Sequence, residues 1–140
     1  MPFRPVTWDM DAIGRVPKGQ RVLVVDDEPQ VVFVLELALG SEGYDVCTAR
    51  NGVEAMAQIS AKHPELIVLD VMMPRMDGWS VMRELAKLPA EERPRVVMVT
   101  ALASGSDRAT ALELGVDAYV PKPFDMDELL GVIHGLQKAS

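Results

Sequence analysis

Five side chains of this sequence have the types and spacing needed to move a phosphoryl group. Asp26 and Asp27 follow the apolar run Val22-Leu23-Val24-Val25, and Asp70 follows Leu66-Ile67-Val68-Leu69. Thr100 closes the run at residues 95–99, and Lys122 follows Ala118-Tyr119-Val120 by two positions. Brought together, three carboxylates repel one another, and a divalent cation relieves that repulsion. All-oxygen ligands favour a hard ion such as Mg²⁺. Lysine adds a point charge suited to phosphate oxygens, and threonine adds a hydroxyl donor. A carboxylate nucleophile, a metal, a lysine and a hydroxyl together make a phosphoryl-transfer site. Asp70 would supply the attacking oxygen and become an acyl phosphate. Taken singly, each residue has a plainer use. Asp26 and Asp27 suit a helix cap and Asp70 a turn. Thr100 is an ordinary strand-end residue, and Lys122 suits a solvated surface. The set gains its meaning from arriving at the ends of four separate apolar runs.

Those runs must be strands, and the segments between them helices. Short continuous apolar runs suit strands buried on both faces. Pro29 fits the first position of a helix, with Asp27 or Glu28 near its cap and Gly43 placed to stop it after about residue 42. Residues 44–49 read as a second strand, and Asn51 caps a helix lasting to about residue 63. The third strand ends at Asp70, and residues 72–78 form a loop before a helix from about 79 to 88. After the fourth strand, Ser104 or Ser106 caps a helix that ends at Gly115. The fifth strand covers residues 118–120. Asp125 caps a last helix whose Met126, Leu129, Leu130, Ile133 and Leu136 share one face. Strands alternating with helices imply an α/β, doubly wound parallel sheet with right-handed crossovers. Ligands of such sheets bind beyond the carboxyl ends of the strands.

The 140 residues suggest one domain, and 49% apolar with 25% charged residues is ordinary globular composition. Residues 1–20 stand apart as an irregular N-terminal extension, with Pro2, Pro5 and Pro17 and scattered Phe3, Trp8, Met10 and Ile13. Residues 21–138 form the domain. A net charge of −7 without a basic run argues against direct nucleic-acid or anionic-membrane binding. The single Cys47 cannot form an internal disulfide, and no Cys/His cluster suggests zinc. A reducing, cytoplasmic setting fits, with no apolar run approaching the roughly 18 residues of a membrane span and no signal-peptide core.

At these residues the chain resembles the response-regulator receiver family of two-component signalling. The resemblance is carried by Val24-Val25-Asp26-Asp27-Glu28-Pro29 and by Leu69-Asp70-Val71-Met72-Met73-Pro74-Arg75-Met76-Asp77-Gly78. Val99-Thr100-Ala101 and Tyr119-Val120-Pro121-Lys122-Pro123-Phe124 complete it, and it covers residues 21–137. It implies a flavodoxin-like five-stranded parallel sheet in the order 2-1-3-4-5 with five helices. It also implies that a sensor histidine kinase or phosphotransfer protein phosphorylates Asp70. Asp27, Asp70 and the Met72 backbone carbonyl would bind Mg²⁺ directly, and Asp26 partly through water. Thr100, Ala101 and Lys122 would meet the phosphoryl group, and Thr100 and Tyr119 would form a switch. The Lys122-Pro123 bond would be cis. The output would use the face of the fourth helix, fifth strand and fifth helix, through a partner protein or a homodimer. Many relatives carry an output domain after the last helix, so this chain is either a stand-alone receiver or part of a longer protein.

Three other readings share parts of this pattern. A degenerate receiver used only for docking would not need the complete acidic, threonine and lysine set. An aspartyl-phosphate phosphatase places its nucleophile after the first strand as Asp-x-Asp, whereas Asp26-Asp27-Glu28 stands here. A flavin carrier needs a Ser/Thr/Gly-rich phosphate loop there, and three acids would repel the phosphate. On the first helix, Val31, Val34, Leu35, Ala38 and Leu39 are expected to face the core. Val32, Phe33 and Leu37 would lie outward as an apolar patch for a partner, or beneath the N-terminal extension. Met72, Met73 and Met76 are expected to pack the loop, and His63 and His134 to be solvated.

Overall fold

The computed structural model describes residues 20–102 and 104–138. The extension expected over residues 1–20 lies, apart from Gln20, outside the described residues. Five strands form one parallel sheet: β1 (Arg21–Val25), β2 (Asp45–Ala49), β3 (Leu66–Leu69), β4 (Arg95–Thr100) and β5 (Ala118–Pro121). Their order is β2-β1-β3-β4-β5, as expected. Five helices connect and follow them: α1 (Pro29–Ser41), α2 (Gly52–Lys62), α3 (Gly78–Leu85), α4 (Gly105–Glu113) and α5 (Met126–Lys138).

The strands are nearly all apolar because both sheet faces are covered. Side chains alternate across a strand, so Leu23, Val25, Ile67, Leu69, Val96 and Met98 enter one core with α2, α3 and α4. Val22, Val24, Leu66, Val68, Val97 and Val99 enter the other, with α1 and α5. Fully burying one such side chain contributes about 1.5–3 kcal/mol before chain entropy.

Capping sets where most helices start. The side chains of Asn51, Asp77 and Ser104 accept from the backbone amides of Glu54, Ser80 and Asp107. Asp125 accepts from Glu128 N at the start of α5. Glu28 occupies the N-cap of α1 and makes no side-chain cap bond. Gly43 and Gly115 take φ of 99° and 93° after α1 and α4, where a side chain would be strained. Helix α3 stops at Leu85, three residues short of the expected end, and Ala90–Glu92 form a separate 3-10 turn. Pro89 cannot donate a helical bond, and Arg93 caps the freed carbonyls of Ala86 and Leu88 at 2.9 and 2.8 Å.

Two expectations are corrected. Helix α1 buries Val32, Leu35 and Leu39, while Val34 is 48% exposed with Phe33 and Leu37. The helix is apolar nearly all round, so periodicity did not fix its rotation. His134 is only partly solvated. Its Nε2 lies 2.9 Å from Glu42, and its Nδ1 lies 3.1 Å from the Tyr44 hydroxyl. This joins α5 to the end of α1.

The rotation of α1 is testable with one residue type on opposite sides. Leu35→Ala should cost about 2–5 kcal/mol in urea unfolding. Leu37→Ala should change stability by no more than about 0.5 kcal/mol. Equal losses would mean that both faces are covered.

Candidate functional site

The acidic residues are delivered by an extension of the sheet itself. Asp26 N donates to Ala49 O at 3.1 Å, and Asp70 N donates to Val25 O at 3.0 Å. The ladder therefore continues one residue past β1 and β3 and sets the two aspartates side by side. Lys122 N donates to Thr100 O at 2.9 Å, which fixes the lysine beside the threonine. The Lys122-Pro123 bond is cis, as the resemblance implied.

Asp26, Asp27 and Asp70 each offer an oxygen within 4.8 Å of the others, with Asp26 and Asp70 buried and Asp27 exposed. Lys122 Nζ lies 2.7 Å from Asp26 Oδ2, 3.1 Å from Glu28 Oε1 and 3.4 Å from Asp70 Oδ2. The other Asp26 oxygen accepts from Glu28 N at 2.9 Å, and Asp70 Oδ1 accepts from Val71 N at 2.7 Å. Burial and the charge of Asp26 push the Asp70 carboxyl above the ordinary carboxylate range, against the pull of Lys122 and the Val71 amide. Burial lowers the affinity of Lys122 for its proton, but the Asp26 hydrogen bond and the charges of Asp70 and Asp26 outweigh it. The ammonium is therefore held above its usual range. Three carboxylate oxygens at one point, one side open to solvent, suit a hard divalent cation.

The loop after Asp70 is clamped at two glycines. Gly78 N donates to Val71 O at 2.9 Å, and a Cβ there would stand 2.4 Å from the Asp70 carbonyl oxygen. Gly52 N donates to Met76 O at 2.8 Å, and a Cβ there would stand 2.5 Å from that oxygen. Met73 and Met76 pack against the core, whereas Met72, expected to pack the loop with them, is 62% exposed. Met72 joins Asp27, Met73, Trp79 and Leu102 around an open hollow of about 460 Å³.

Thr100 is fully buried, and its Oγ1 accepts from Leu102 N at 3.3 Å. The Tyr119 hydroxyl donates to the carbonyl of the same Leu102. Ala101 between them is exposed. The structure thus gathers Asp26, Asp27, Asp70, Thr100 and Lys122, and links Tyr119 through Leu102. Phe33 and Leu37 lie apart on α1. Sequence reasoning missed Glu28 as a partner of Lys122, although its place in the Asp-Asp-Glu run was a usable signal. It also missed Arg108, whose guanidinium lies 4.7 Å from the centre of the Tyr119 ring. No local pattern marks that contact.

A family model for the response regulator receiver domain matches residues 22–134. The chain belongs to this family. It is 44% identical over 125 residues to the probable transcriptional regulator ycf27 of Porphyridium aerugineum, covering 86% of this chain and 51% of that protein. It is 43% identical over 116 residues to the response regulator MprA of Mycobacterium avium, covering 83% and 50%. The receiver thus spans about half the length of these curated relatives. Among solved structures, a CheY-like receiver from Methanospirillum hungatei matches with a TM-score of 0.80 at 30% identity, covering 86% of this chain and 94% of that one. The CheX-CheY-BeF3-Mg²⁺ complex of Borrelia burgdorferi matches with a TM-score of 0.76 at 28% identity, covering 83% and 87%. As a receiver of two-component response regulators, the protein is a signalling switch.

The electrostatics of this receiver make a prediction with a definite sign. Because the folded Asp70 carboxyl sits above its ordinary range, its contribution favours the fold at low pH. That contribution is lost as pH rises through the folded value. In metal-free buffer at neutral pH, Asp70→Asn should therefore be more stable than the parent. The difference should close as pH falls through the carboxylate range. Urea titrations across pH measure this, and a less stable variant at neutral pH would contradict the crowding.

Proposed function

We propose that Asp70 is the phosphoacceptor of this receiver. The observation that carries the reading is a buried Asp70 carboxylate beside two further carboxylates and the Lys122 ammonium. A carboxylate oxygen of Asp70 attacks the phosphorus of a phosphohistidine on a sensor histidine kinase or phosphotransfer protein. The phosphorus–nitrogen bond breaks, and an acyl phosphate forms. Asp27, Asp70 and the Met72 backbone carbonyl would hold Mg²⁺. Asp26, whose two oxygens already accept from Glu28 N and Lys122, would add its charge to the site. When bound, the ion supplies positive charge to the phosphoryl oxygens. Lys122 supplies a second positive charge, and Thr100 and the Ala101 amide donate to the phosphoryl group. The same residues slowly hydrolyse the acyl phosphate, so the only chemistry is on the protein itself. Beryllofluoride complexes of similar receivers, including RstA of Klebsiella pneumoniae, support this reading.

Thr100 drawn toward the phosphoryl group changes its hold on Leu102, and Tyr119 follows. The face of α4, β5 and α5 then controls an output protein or a homodimer. Phe33 and Leu37, joined by Val34, form the surface that docks the phosphodonor. Among the described residues no helix is long and apolar enough to cross a membrane. Action in the cytoplasm, without direct nucleic-acid contact, fits the acidic charge.

Incubation with acetyl phosphate and Mg²⁺, followed by intact-mass measurement, tests the acceptor. One phosphoryl group should add to the parent and none to Asp70→Asn. Full labelling of that variant would place the acceptor elsewhere. The docking surface has its own test. Phe33→Ser with Leu37→Ser should slow phosphotransfer from the kinase while leaving acetyl-phosphate labelling intact. A collapse of thermal stability in that variant would instead mean that the patch is covered within the monomer.

A further inference from the structure

Tyr119 is held at two points. Its hydroxyl donates to the Leu102 carbonyl, and the Arg108 guanidinium lies 4.7 Å from the ring centre. That distance is inside the roughly 6 Å range of a cation–π contact. Arg108 is itself firmly mounted. Its backbone amide donates to Ser104 O at 3.1 Å in the first turn of α4, and Ser104 caps that turn by accepting from Asp107 N at 3.0 Å. Leu102 completes a path inward, because its amide donates to Thr100 Oγ1 at 3.3 Å. Arg108, Tyr119, Leu102 and Thr100 therefore form an unbroken series of contacts from the exposed side of α4 to the phosphoryl site.

We propose that Arg108 is a positioning residue for Tyr119. Its guanidinium holds the ring where the hydroxyl reaches the Leu102 carbonyl, and so couples the face of α4 to Thr100. This rests on the reading of Thr100 and Tyr119 as a switch. The physical reason is geometric. A single hydrogen bond from the end of a ring leaves the ring free to pivot about its Cβ, whereas a cation over its face opposes that pivot. Arginine suits the task because its planar group stacks on aromatic faces and is weakly hydrated. An exposed contact of this kind biases the ring by about 2- to 5-fold.

The protein contains two tyrosines, so ring-selective ¹³C-tyrosine labelling gives one signal for Tyr119 and one for Tyr44. Tyr44 packs in the other core, against α1 and α5, and serves as the internal control. Parent, Arg108→Gln and Arg108→Lys are compared without metal and then titrated with beryllofluoride and Mg²⁺. In Arg108→Gln the metal-free Tyr119 signal should move toward that of a solvated tyrosine while Tyr44 stays. Its beryllofluoride affinity should shift from the parent's by about 2- to 5-fold. Arg108→Lys, which keeps the charge without the planar group, should lie between parent and Arg108→Gln. A Tyr119 signal and affinity in Arg108→Gln equal to the parent would overturn the proposal. If the parent's own Tyr119 fails to respond to beryllofluoride, the switch reading fails and the coupling with it. The metal-free comparison still decides whether Arg108 holds the ring.

Discussion

The structure is organised around one ammonium group set among carboxylates. Lys122 Nζ meets Asp26, Glu28 and Asp70 within 3.4 Å, and Asp26 and Asp70 are both nearly excluded from water. Two buried carboxylates at this separation repel strongly where the dielectric is low. The arrangement persists because the sheet gives the backbone no alternative. Asp26 and Asp70 are held by ladder bonds that begin deep in the apolar core. The hydrophobic sheet thus supports the cost of a crowded site, and the crowding leaves the site ready to accept positive charge. Glu28 makes the same point locally. It stands at the N-cap of α1, makes no cap bond, and turns its carboxylate to Lys122.

Rigidity continues into the loop beyond Asp70. Gly78 and Gly52 bring backbone against backbone from opposite sides, at separations that no side chain allows. The Asp70 carbonyl is one of the groups Gly78 approaches. Asp70 is therefore fixed by its amide on β1, by its carbonyl beside Gly78 and by its carboxylate on Val71 and Lys122. A group held from so many directions loses little further freedom when it reacts, which is the advantage of a preorganised site.

The strands and their ends were legible because both-face burial writes a continuous apolar run, and the residue after each run must lie at the sheet's carboxyl edge. That placed Asp26, Asp27, Asp70, Thr100 and Lys122 together from sequence alone. The caps at Asn51, Ser104 and Asp125 were legible because their signature is local. The rotation of α1 was not, since Val31, Val32, Phe33, Val34 and Leu35 are all apolar and only the packing against the sheet selects Val32 over Val34. Contacts between distant segments were invisible for a different reason. Arg108 and Tyr119, or Tyr44 and His134, meet only because the topology sets β5 beside α4 and α5 beside α1. His134 looked solvated because its partners, Glu42 and Tyr44, lie on the far side of the chain.

Leu102 illustrates how this fold lets one residue do two things. Its backbone amide donates to Thr100 and its carbonyl accepts from Tyr119, so the connection from site to surface runs through main-chain atoms that every residue type but proline can supply. Its side chain is thereby free for another use, and it lines the hollow with Met72, Met73, Trp79 and Asp27. The approach to the acidic cluster and the path leading away from it share this residue. A substitution at Leu102 alters the shape of the approach while leaving the relay bonds in place. A displacement of its backbone alters both at once. A shift of the Leu102 backbone is therefore registered both by the surface near Tyr119 and by the entrance beside Asp27.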